Sequence, residues 1–70
     1  MEKEIQKTLQ LAIEAHRNNK VEEAENYYHT ILKSNSTHTD ANHNLGVLFL
    51  SLSQTRKAIR HLKTALENDR

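Results

Sequence analysis

The stretch Asn42-His43-Asn44-Leu45-Gly46-Val47-Leu48-Phe49, continued by Ala58, Leu62 and Ala65, decides the fold. Gly46 is the only glycine in the chain, and it lies inside an apolar-periodic segment instead of a turn. A glycine within a helix costs about 1 kcal/mol against alanine, so its place here reads as a site of close packing. Ala58 supplies a second small side chain. One small residue on each of two neighbouring helices lets their backbones approach, while Leu45, Phe49 and Leu62 fill the space beside them.

The pattern recurs 34 residues earlier. Leu11 falls under Leu45, Ala12 under Gly46, Ala15 under Phe49 and Ala24 under Ala58. Tyr28 then falls under Leu62, Ile31 under Ala65 and Leu32 under Leu66. With small residues at two set positions of this period, the chain resembles the tetratricopeptide repeat family. The second copy is close to the family pattern and the first is degenerate: Thr8 and Asn42 hold the usual Trp positions, and Ala15 the usual Tyr position. Ser36 and Arg70 stand where the closing proline is usual. The resemblance implies an all-α fold, two antiparallel helix pairs stacked as a short right-handed α-solenoid. Residues 1–70 form one domain, with repeat one over 5–38, repeat two over 39–70 and no capping helix. Leu11, Ala12, Ala24, Tyr28, Leu45, Gly46, Phe49, Ala58, Leu62 and Ala65 are its repeat-defining core. The competing fold is an unrelated four-helix bundle, which would not repeat the small–small register.

Seventy residues make one small domain, whose core supplies only a few kcal/mol net. Cysteine is absent, so neither a disulfide nor a thiolate metal site is available. No apolar run approaches the ~20 residues of a membrane span, and Met1-Glu2-Lys3-Glu4 is not a signal sequence. A soluble, cytoplasmic protein is the expectation, and Asn35-Ser36-Thr37 is read as a loop instead of a glycosylation site. The net charge of +1 selects no partner class. Its distribution is uneven, because the final segment carries Arg56, Lys57, Arg60, Lys63 and Arg70 against Glu67 and Asp69.

Helices are expected over Glu2–Arg17, Val21–Lys33, Asp40–Leu52 and Thr55–Asn68. Asn19 and Ser53 occupy the family's glycine places, where the turn between paired helices needs a left-handed backbone that Asn tolerates. Asn19 is also expected to cap the second helix, with Glu22 as reciprocal partner. Tyr28 reads as core and Tyr27 as partly exposed. Ser34 to Thr39, a run of cap formers without proline, is the break between the pairs. The third helix is the most apolar and is expected to be contacted on more than one side. The fourth has its charges against the helix dipole, with Arg56 and Lys57 at the start and Glu67 and Asp69 at the end.

The five histidines raise the question of metal, but there is no H-E-x-x-H and no i, i+4 histidine pair. His38, Asp40 and His43 read as a solvated loop and helix start. No metal, cofactor or catalytic residue is assigned, and an enzyme confined to this chain is not expected. By the family's geometry the first helix of each pair lines a concave groove. Repeat one contributes Gln6, Leu9, Gln10, Ile13, His16 and Arg17, and repeat two Asp40, His43, Asn44, Val47, Leu50 and Ser51. An aliphatic centre with a polar, basic fringe suits a peptide with apolar anchors. The family's carboxylate clamp is absent, since only Asn44 has a counterpart and Leu9 and Ile13 replace its Lys and Asn.

The expected function is therefore protein–protein interaction or scaffolding, with a protein or peptide partner and a homo-oligomer formed through Leu48, Leu52, Ile59, Leu62 and Leu66 or, as the second route, by helix continuing through Ser34 to Thr39 into a domain-swapped dimer. Two alternatives stand beside it. Arg56, Lys57, Arg60 and Lys63 could contact nucleic acid or an acidic partner, but no aromatic lies among them to stack bases. His38-Thr39-Asp40-Ala41-Asn42-His43-Asn44-Leu45-Gly46 resembles bacterial tetratricopeptide arrays, some of which precede glycosyltransferase or sulfotransferase domains.

Overall fold

The computed structural model of the chain describes residues 2–68. Four helices follow one another: α1 (Glu2–Arg17), α2 (Val21–Ser34), α3 (Thr39–Ser51) and α4 (Thr55–Glu67). Asp69 and Arg70, the latter placed at the closing-proline position above, lie outside the described residues. Helix α1 packs on α2, α3 on α4, and α3 also packs on α2 and touches α1. The third helix is thus contacted on several sides, as its apolar composition requires. The body measures 31 × 29 × 17 Å, and its short dimension is that of two helix layers at the usual 8–10 Å spacing.

The two tight turns are built alike. Asn19 has φ 62° and Ser53 φ 61°, and the two positions are 34 residues apart in sequence. In the first, Lys20 N donates to Ala15 O (2.8 Å) and Asn19 N to His16 O (3.1 Å). In the second, Gln54 N donates to Phe49 O (2.9 Å) and Ser53 N to Leu50 O (3.0 Å). This paired pattern is the Schellman closure of a helix, with the left-handed residue just past its end. Asn19 is committed to ending α1 and does not cap α2: the cap position is Lys20, with no side-chain hydrogen bond.

Where the pairs meet their partners, Gly46 has no room for a side chain. A Cβ there would lie 2.6 Å from Leu62 Cγ and 3.3 Å from the Ala58 carbonyl oxygen. That is the close approach of α3 to α4 expected from the small–small register. Ala12, Ala24, Tyr28, Leu45, Phe49, Ala58 and Ala65 are buried, and Leu62 is half-buried.

Three leucines fall on the opposite side of the surface from the one expected. Leu11, placed in the core, is 44% exposed. Leu48, placed on an open self-association face, is fully buried, and Leu9, placed in the groove, is also buried. One cause covers all three. Leu9 and Leu48 lie in the seam where α3 rests on the first pair, sharing one buried cluster with Tyr28, Ile31 and Leu45. Leu11 holds the same repeat position as Leu45, but no described helix lies against that side of α1.

Candidate functional site

Helices α1 and α3 present their outer residues on either side of a depression floored by α2. It has a volume of about 430 Å³ and is lined by Ile13, His16, Arg17, Tyr28 and Asn44. Ile13 is 37% exposed, His16 is half-buried and Arg17 is exposed at the end of α1. Tyr28 is buried to 1%, yet its edge forms part of the lining. Burial raises the Tyr28 pKa above the ordinary 10.0, and a hydrogen bond from Asn44 offsets part of that rise.

Of the groove residues read from the sequence, Ile13, His16, Arg17 and Asn44 are brought together here. Gln10 and His43 are exposed, and Val47 and Leu50 stand 40% and 49% exposed on α3. His43 Nδ1 lies 3.4 Å from Asn44 Oδ1. Gln6, Asp40 and Ser51 are exposed, and the Ser51 hydroxyl is turned back onto the Leu48 carbonyl at 2.6 Å. Leu9 belongs to the core and leaves the groove. No carboxylate lines the depression, and Arg17 is the fixed charge among its lining residues.

Tyr28 was legible only as a core residue. A tyrosine in a core stripe still needs an outlet for its hydroxyl, and that need is the signal that places its polar edge at a wet surface.

A second polar cluster escaped the sequence reading. Asn42 is 2% exposed, and its amide nitrogen donates to the carbonyls of Ser36 (3.1 Å) and His38 (3.0 Å). With both amide hydrogens used, its Oδ1 accepts from His61 Nδ1 at 2.8 Å. The His61 ring packs on Phe49, centroids 5.6 Å apart. Its pKa is lowered by burial first, then by the charges of Arg60 and His29. His38 is not a solvated loop residue: its Nδ1 accepts from Ala41 N at 3.1 Å and caps α3. This cluster ties the 35–38 joint to α4 across the body of the domain. The Asn42 amide is wholly used within it, which gives the cluster an architectural role.

On α4, Arg56, Arg60 and Lys63 are exposed, while the Lys57 ammonium lies 5.5 Å above the Phe49 ring. Among the described residues no three His, Cys, Asp or Glu side chains converge as a metal site. No described helix is long and apolar enough to cross a membrane. Comparison with protein-family models, curated proteins and solved structures finds no match for this chain.

Proposed function

We propose that the chain is a protein–protein interaction or scaffolding module of tetratricopeptide type, its helix pairs stacked as a short right-handed α-solenoid. It binds a peptide segment along the groove between α1 and α3 and is not itself an enzyme. The observation that carries this reading is the depression at Ile13, His16, Arg17, Tyr28 and Asn44, with the exposed aliphatic Val47 and Leu50 further along α3. Exposed aliphatics beside convergent polar groups are what a peptide groove needs: anchors for side chains, and donors for a backbone that would otherwise lose its water. The recurrence at 34 residues, seen in the small residues and in the left-handed turn positions, supports the repeat assignment.

Panning a random peptide library against the purified chain tests the site. Enriched peptides should lose at least tenfold in affinity on both Ile13→Asp and Val47→Asp variants, which place a charge where an apolar anchor would sit. Both residues are partly exposed, so unchanged circular dichroism is expected for each. Undiminished affinity in both variants would move the site off this groove.

A further inference from the structure

The 34-residue register contains an interface that the described helices make once and leave open once. On the first pair, Leu9, Tyr28 and Ile31 share a buried cluster with Ala41, Leu45 and Leu48 of α3, and Leu32 packs against it. Advanced by one repeat, Leu9, Tyr28, Ile31 and Leu32 become His43, Leu62, Ala65 and Leu66. No described helix covers that surface. Leu66 is 78% exposed, and Leu62, Ala65 and Leu66 line an open groove of about 420 Å³ with Thr39, Asp40 and His43. Moved back by one repeat, the α3 side chains Ala41, Leu45 and Leu48 become Lys7, Leu11 and Glu14 of α1. All three are exposed. The described helices thus leave open the α4 half of an interface used once internally, and on α1 keep one of its three apolar side chains, Leu11, between the charged Lys7 and Glu14.

We propose that a second copy of this chain docks head to tail on the first. Its α1 lies on α4 as α3 lies on α2, and its Leu11 enters the groove at Leu62 and Leu66. The order of charges fits this arrangement. Helices α2 and α3, joined by residues 35–38, run in opposite directions, so the docked α1 runs opposite to α4. Its Glu14 then falls toward the start of α4, where Arg56 and Arg60 stand, and its Lys7 toward the end, where Glu67 stands. Charges of opposite sign thus lie toward the same two ends, at the rim of an apolar centre, and the long stems of Lys7 and Glu14 add apolar cover of their own.

The symmetric alternative, α4 against α4, brings Arg56, Lys57, Arg60 and Lys63 of both copies together against Glu67 alone among the described acids of that helix. Like-charge repulsion disfavours it. It also loses a residue from the face read off the sequence, because Leu48 is buried, and Leu52 is half-buried against the core. A head-to-tail contact is heterologous and does not close at two copies.

Sedimentation of the purified chain over about a hundredfold concentration range tests this, since association follows mass action. The expected result is a weight-average mass that climbs with concentration beyond that of a dimer. Leu11→Lys and Leu66→Lys should each be monomeric throughout, with the helical circular dichroism of the parent, since Leu11 is 44% and Leu66 78% exposed and a lysine at either place reaches water. Mixed in equal amounts they should form a dimer and nothing larger, because the first retains an intact α4 face and the second an intact α1 face. Glu14→Lys should weaken assembly severalfold at low salt and less at high salt. A parent chain that stays monomeric at every concentration overturns the proposal. So does assembly that survives Leu11→Lys, or a mixture of the two lysine variants that fails to dimerise. None of these substitutions touches the depression between α1 and α3, so peptide binding there stands or falls separately.

Discussion

Replacing Gly46 with alanine sets two effects of comparable size against each other. The helix gains about 1 kcal/mol in propensity. The new Cβ, however, would lie 2.6 Å from Leu62 Cγ and 3.3 Å from the Ala58 carbonyl, and overpacking of this kind costs about 1–3 kcal/mol. The contacts are with the Leu62 branch point and one of its methyls (2.7 Å) together with a backbone oxygen, so turning the methyl away does not relieve them and strain wins. Gly46→Ala should lower the melting temperature, and Gly46→Leu or Ala58→Leu should lower it much further, while Lys20→Ala stays within about 0.5 kcal/mol. Equal melting temperatures for all of these would refute the close approach of α3 to α4. His61 gives a pH-dependent test. Burial and the charges of Arg60 and His29 hold its pKa below the ordinary 6.5, so the folded state favours the neutral ring. The unfolded chain takes up the proton first, and stability therefore falls as pH drops below 6.5. A melting-temperature loss on acidification that is smaller in His61→Gln than in the parent would isolate this contribution. An identical loss in both would dismiss it.

At the scale of the element, the chain's own repetition made the helices readable. Their ends lie within a residue or so of those expected, because Schellman turns at Asn19 and Ser53 and a run of cap formers at the joint punctuate an otherwise helical pattern. The left-handed turns also carry a prediction. A non-glycine residue there costs about 1–2 kcal/mol, against an entropic cost for glycine of about 0.5–1 kcal/mol. Ser53→Gly should stabilise by up to about 1 kcal/mol, and Asn19→Gly by less, since asparagine tolerates this region. Urea titration of both variants would check the order. What stayed illegible was which apolar stripe has a neighbour. Helix α1 bears apolar residues on two faces, and periodicity cannot tell that Leu9 will be roofed by α3 while Leu11 faces solvent. The Asn42 cluster was equally hidden, since its His61 partner is 19 residues away and a polar residue at an aromatic position reads as mere degeneracy. In the groove, the α3 side was legible because nothing roofs it, and Tyr28 was not, because its ring is core and only its edge is site.

Across the whole molecule, the two pairs are held as one body by the α2–α3 seam, and stacked helix pairs gain much of their stability from such nearest-neighbour interfaces. Leu48 is fully buried in the shared cluster. Leu48→Lys should therefore unfold the chain at ordinary temperature, since an unpaired buried charge costs more than a domain this small can spare. Leu66→Lys should leave the melting temperature within about a degree or two of the parent, and the opposite ranking would reverse the assignment of inside and outside. The seam also comes with its own optical gauge. There is no tryptophan in the chain and there are only two tyrosines, one of which, Tyr28, sits where α1, α2 and α3 converge. Because burial delays its ionisation beyond 10.0, tyrosinate absorbance should develop a late step in alkali that Tyr28→Phe abolishes. Any condition that parts the helices there will advance that step, so an ultraviolet spectrophotometer can watch the seam open without a label.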